Sequence, residues 1–271
     1  GSILAPLLTG IVLAFIMQGV IKFLSRYQVP NGIAVAVTFL VFLGGFVGFL
    51  FFIIPKVWRQ LRALYQEFPN MITKSQALMD TLPDDFPSLI SQQQVGAWVE
   101  LLNSEAGVIG QWILSFSLSQ LPVLVTVVVY MMLVPILVFF LLKDKDQLLG
   151  WCFSMLPSKR PLMDQIGEEM IRQMENYIRG KFVEFLIIGG VSYVFFALYG
   201  LNYAVLLAFL VGLSVIVPYL GLIAVTIPVV IIAYMQFGWT GSFIYLVLGY
   251  GVIQSIDGFV LVPWVFSEAV N

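Results

Sequence analysis

Ser214-Val215-Ile216-Val217-Pro218-Tyr219-Leu220-Gly221 interrupts a long apolar run in the second half of the chain. Pro218 lacks a backbone donor and its ring crowds the preceding turn. Gly221 carries no Cβ and allows close backbone approach. With Ser214 and Tyr219 beside them, these residues form either a tight turn between two apolar helices or a break inside one. Non-helical backbone at membrane depth survives only where protein or a water-filled cavity covers it. The stretch therefore predicts a gate or path-lining break in a helical membrane protein.

Composition supports that setting. Of 271 residues, 60% are hydrophobic and 10% charged. Soluble domains run at about 45–50% apolar and about 25% charged. The fold class expected is all-α: a polytopic helical membrane protein with short Gly/Pro-broken helices in its C-terminal half and a small extramembrane insert. The net charge of −2 argues against a nucleic-acid partner. With no His and a single Cys, Cys152, no metal site, disulfide or cofactor is expected. No nucleophile elbow, phosphate-binding loop or zinc-protease motif occurs, so no enzyme activity is expected.

Residues 1–55 read as two membrane helices, covering about residues 3–24 and 33–54, each near the roughly 20 residues that a crossing needs. Gly44 and Gly48 have the small-xxx-small spacing of close helix contacts. Residues 56–117 change character and read as an amphipathic, extracytoplasmic helical insert. Val57, Leu61, Leu64 and Phe68 recur at helical spacing, and Pro69, Pro83 and Pro87 are expected to divide it. Trp58, Trp98 and Trp112 suit a membrane interface. The acids Asp80, Asp84, Asp85, Glu100 and Glu105 leave open a solute-gathering vestibule. Residues 118–142 read as a third membrane helix.

Residues 143–181 carry seven of the thirteen basic residues and read as cytoplasmic by the positive-inside rule. Within them Leu162, Ile166, Met170, Met174 and Ile178 form an apolar stripe, predicting a surface helix packed on its own bundle. From residue 182 to 271 there is no Lys or Arg. This Gly/Pro-rich membrane core holds four apolar runs, 182–199, 203–217, 222–237 and 242–256. Their shortness leaves open a re-entrant hairpin around 203–237. Counting spans back from 143–181 places Gly1 outside, so a further helix is expected before it.

Asp257 is the leading functional candidate, because a carboxylate in hydrocarbon usually faces a cavity, a partner or an ion. Gln254 lies three residues before it on one helical face, and Ser255 lies between them. Glu184 is a second candidate, with pairing to Lys181 or Arg179 as the plain alternative. Ser214, Pro218, Tyr219, Gly221 and Pro263 are the helix-break or gate candidates. No residue is assigned a catalytic role.

Val217-Pro218-Tyr219-Leu220-Gly221, Gln254-x-x-Asp257-Gly258, Leu261-Val262-Pro263 and the closing Phe266-Ser267-Glu268-Ala269-Val270-Asn271 resemble the autoinducer-2 exporter family, in particular its PerM-type permeases. Leu4-Ala5-Pro6 and Leu141-Leu142-Lys143-Asp144 are also similar. The resemblance implies a multi-pass protein of the inner membrane that exports a small molecule, such as autoinducer-2; with no phosphate-binding loop, that transport is expected to be gradient-driven or passive. It also implies membrane helices before Gly1 and after Asn271. Na⁺(Li⁺)/H⁺ antiport is the alternative it carries, and a homo-oligomer is expected. Where the family usually has Asn shortly after the acid, this chain has Gly258 and Phe259, so an ion site using that amide is not matched. Outside transport, the alternative is a membrane scaffold docking a partner through the 162–178 stripe.

Overall fold

The computed structural model describes residues 4–85, 96, 120–154 and 161–265. Pro87, Trp98, Glu100, Glu105, Trp112 and Glu268 lie outside these residues, as does the boundary drawn at 117/118. The described residues are helical and contain no strand. Helices α1 (Leu4–Arg26), α2 (Asn31–Gly48), α3 (Ile54–Asp85), α4 (Gln120–Lys143), α5 (Lys145–Ser154), α6 (Pro161–Leu198), α7 (Ala204–Ser214), α8 (Leu220–Phe237) and α9 (Gly241–Ile256) follow in order. Five helices among the described residues are long and apolar enough to cross a membrane.

The chain divides into two compact units, Gly1–Val57 with Tyr130–Asn271, and Trp58–Val129. In the smaller unit α3 is a single helix through Pro69 and Pro83, not the broken segment expected. One proline removes one N–H and bends a helix without having to end it. Arg62 lies over the Trp58 ring, 5.1 Å from its centre.

In the larger unit, two groups of helices form. The first packs α1, α2 and α4 around Ala14, Ile21, Ala34, Phe42, Val134 and Val138. Close approach is built into it: a Cβ at Gly10 would sit 3.1 Å from the Leu137 Cβ. Gly44 and Gly48 meet nothing within 4 Å among the described residues, so the small-residue contact expected there is not formed by them. The second group is α6 to α9, joined to the first where α1 crosses α6. There a Cβ on Gly19 would meet the Arg179 Cδ at 2.5 Å.

The surface helix expected before residue 182 and the membrane run after it are one helix, α6. No proline lies between Pro161 and Leu198 to separate them. Its stripe does not pack inward as expected, since Ile166, Met170 and Met174 are exposed. The face carrying Ile171, Glu175 and Arg179 turns inward instead, because Glu175 draws cations from three elements. Its carboxylate accepts from Lys22 Nζ of α1 at 2.8 Å and Lys145 Nζ of α5 at 2.9 Å. Arg179, one turn along, lies 3.6 Å away.

Two single π turns interrupt the helices. Phe49–Ile53 joins α2 to α3, and Asp257–Leu261 continues α9 to residue 265. In each, the N–H after the turn reaches back five residues, Ile54 to Phe49 and Val262 to Asp257. In each, a proline follows two residues beyond the turn, Pro55 and Pro263. A proline ring collides with the carbonyl four residues back and leaves it without a donor. Shifting the ladder by one residue just before it relieves that conflict, and such turns often mark functional sites.

Candidate transport site

The break at 214–221 is a turn joining α7 and α8. Val217 donates to the Ser214 carbonyl at 3.2 Å, Gly221 to Val217 at 2.9 Å, and Leu220 to Pro218 at 2.7 Å. The Ser214 hydroxyl donates to the Val211 carbonyl at 2.7 Å and closes the end of α7. Tyr219 takes a φ of 61°, where side chains other than glycine are strained. Gly221 is required by contact: a Cβ there would lie 2.9 Å from the Ser214 Cα and carbonyl carbon, and closer still to the oxygen. At the other end, Gln236 donates to the Gly200 carbonyl at 2.8 Å and accepts from the Asn202 N–H at 2.7 Å. Residues 202–237 are thus a helical hairpin clasped at both ends. With 11 residues α7 is about 16 Å long, against about 30 Å for the hydrocarbon core.

Three helix pairs set the level of the functional candidates. On α6 and α7, Phe185 packs on Gly212 and Gly189 on Ala208, so Glu184 lies near the Ser214 end of α7. On α8 and α9, Tyr234 meets Phe243 and the Thr226 hydroxyl lies 3.3 Å from the Tyr250 hydroxyl. That register puts Asp257 level with the Pro218–Gly221 turn. On α6 and α9, Phe196 meets Tyr250 and Phe195 crowds Gly249, so Asp257 faces the part of α6 one turn from Glu184. The break, Glu184 and Asp257 gather at one end of the α6–α9 group.

Glu184 is only 2% exposed. Lys181, one turn before it, lies 2.9 Å from its carboxylate and donates to Oε1 at 3.1 Å. Isolated charges in an apolar interior are expensive, so this pairing keeps both groups tolerable. Asp257, the first residue of the π turn, is within electrostatic reach of Glu184 and Lys181. Its Oδ1 is buried without a hydrogen-bond partner among the described residues, as is the Gln254 Nε2. Ser192, two turns beyond Glu184 on α6, is fully buried with its hydroxyl unpaired. Two carboxyl groups thus lie around one ammonium.

The remaining candidates divide. Ser255 is exposed and donates to the Gly251 carbonyl at 2.8 Å. Pro263 is exposed and acts through the π turn before it. Phe259 is 85% exposed, turned away from the carboxylates. Sequence reasoning did not single out Ser192 or Glu175. For Ser192 the only signal is a hydroxyl two helical turns from Glu184. For Glu175 the partners are 153 and 30 residues away, so no local spacing reveals it.

Long apolar helices of crossing length, without strands among the described residues, define a polytopic helical membrane protein. The chain belongs to the AI-2E family of transporters, whose family model matches residues 1–271. It is 40% identical over 270 residues to the permease PerM of Escherichia coli (strain K12), covering 100% of this chain and 76% of PerM. It is 24% identical over 271 residues to the transport protein YueF of Bacillus subtilis (strain 168), covering 98% of this chain and 73% of YueF. It is 21% identical over 281 residues to YrrI of the same organism, covering 100% and 76%. Membrane transport is therefore the function of the class to which the chain belongs.

Proposed function

We propose that the chain exports a small polar solute of the autoinducer-2 kind across the inner membrane, gradient-driven or passively, along a path that passes Glu184, Asp257 and Gln254. The observation carrying this is the buried Glu184 with Lys181 and Asp257 around it, and the Asp257 Oδ1 and Gln254 Nε2, unpaired among the described residues. Unpaired polar atoms at membrane depth cost free energy that a solute or ion can recover. The Ser214–Gly221 turn, at the same level, acts as the gate on that end, and the strained Tyr219 gives it a second conformation to relax into. In this reading residues 143–181 are cytoplasmic, 56–117 extracytoplasmic, and the working form is a homo-oligomer.

The test is solute counterflow in proteoliposomes, comparing Asp257→Asn with Ser255→Ala. Asp257→Asn is expected to lower flux by about tenfold or more, the cost of about 1.4 kcal/mol of lost interaction. Ser255→Ala is expected to leave it unchanged. Equal flux in both variants and the parent removes Asp257 from the path. A second reading follows from the two carboxyl groups around one ammonium, oxygen ligands that suit a coupling cation. Proton flux on adding Na⁺ to the same vesicles favours antiport over solute export.

A further inference from the structure

A second polar region lies apart from Glu184 and Asp257. Between α1, α2 and the junction of α4 with α5 is a cavity of about 560 Å³, walled by Gln18, Asn31, Gly32, Phe139, Lys143 and Lys145 among others. That volume is in the range of small-ligand sites, roughly 300–1,000 Å³. Its charged walls are both lysines. Lys143 has no hydrogen bond or ion pair among the described residues. Lys145 shares the single Glu175 carboxylate with Lys22 and Arg179, so positive charge is in excess there. Asp144, between the two lysines in sequence, is not part of the wall.

Two neutral donors face the same space. Gln18 is 8% exposed, and its amide makes no hydrogen bond among the described residues. Its amide reaches the cavity, where it is free to pair with a ligand. The first turn of α2 also lines the cavity. Pro30 provides no side-chain cap, and only the N–H groups of Ile33 and Ala34 turn back to its carbonyl. The N–H groups of Asn31 and Gly32 are left without an acceptor, at the positive end of an 18-residue helix. Unused N–H groups, an amide able to donate and two ammonium groups thus line one space.

We propose that this cavity binds a phosphate-type oxyanion, held by Lys143, Lys145, Gln18 and the start of α2. An adjoining cavity of about 270 Å³ shares Gln18 and Lys145 and is otherwise apolar, with Ile11, Phe15, Leu141 and Leu148 in its walls. A phospholipid can use both, with its phosphate on the lysines and a chain in the slot, whereas a free anionic solute uses only the first. Basic pockets between membrane helices commonly take anionic headgroups.

The test reconstitutes the full chain in phosphatidylcholine nanodiscs, without and with phosphatidylglycerol, and separately adds millimolar inorganic phosphate to the neutral discs. Unfolding temperature and lipid retained in native mass spectrometry are read for the parent, Lys143→Gln, Gln18→Leu and Lys74→Gln. Lys143 pairs with nothing among the described residues, so its substitution is expected to spare the fold, and Lys74 is an exposed lysine elsewhere. Lys143→Gln and Gln18→Leu are expected to weaken binding about fivefold each, as for one basic contact to a headgroup, and Lys74→Gln not at all. Stabilisation by phosphate in neutral discs identifies a free oxyanion, and stabilisation only with phosphatidylglycerol identifies the lipid. The proposal is overturned if neither probe binds, or if the Lys143 and Gln18 variants lose no more than Lys74→Gln.

Discussion

Gly221→Ala tests the hairpin turn with a single methyl group. The added carbon would sit 2.9 Å from both the Ser214 Cα and its carbonyl carbon, and nearer to the oxygen. Ordinary contact between these atoms is at about 3.5–4.0 Å, so the backbones must part by half an ångström or more. Neither side yields easily. The Ser214 carbonyl accepts from Val217, its hydroxyl is bonded to Val211, and the hairpin is held at its far end by Gln236. Overpacking costs about 1–3 kcal/mol, and backbone against backbone belongs at the upper end. At about 3 kcal/mol the unfolding temperature in detergent falls by roughly 6–12 °C for a chain of this size. Gly48→Ala is the control, because no atom lies within 4 Å of its new carbon. Equal unfolding temperatures for Gly221→Ala and Gly48→Ala would refute the close approach and, with it, the geometry assigned to the gate.

Glu175→Gln leaves Lys22, Lys145 and Arg179 together without their carboxylate, and is expected to cost about 3 kcal/mol in thermal unfolding. Lys22→Gln removes a half-exposed partner and should cost less than about 1 kcal/mol. Equal losses in the two variants would contradict a single shared anchor. Gln236→Ala removes both bonds of the hairpin clasp, so hydrogen exchange at the Asn202 amide should speed up by about tenfold for a loss of about 1.4 kcal/mol. An unchanged rate would mean that the hairpin ends are held by other contacts.

The pieces legible in the sequence were those that break a local rule. Pro218 and Gly221 stood out because they interrupt an apolar run, and the structure makes them a turn with a required glycine. Asp257 and Glu184 stood out as acids in hydrocarbon, and folding brings them into electrostatic reach. Partnerships between distant residues were not legible. Glu175 looks like any acid on an amphipathic helix until α1 and α5 supply Lys22 and Lys145. The apolar stripe of α6 predicted the inward face, but three ion pairs on the other face turned it outward. Pro55, Pro69 and Pro263 did not end helices. At Pro55 and Pro263 the ladder slips by one residue and the helix goes on. Pro69 is simply accommodated within α3.

Glu184 and Asp257 are claimed to act as one unit on the transport path, and a double-mutant cycle on flux tests this most directly. Counterflow is measured for Asp257→Asn, Glu184→Gln and the double variant, with unfolding temperature taken alongside because Glu184→Gln strands Lys181. Groups that act together are non-additive, so the double variant is predicted to be no slower than the more damaged single variant. Flux losses that simply multiply, or no loss in either single variant of folded protein, would contradict the account.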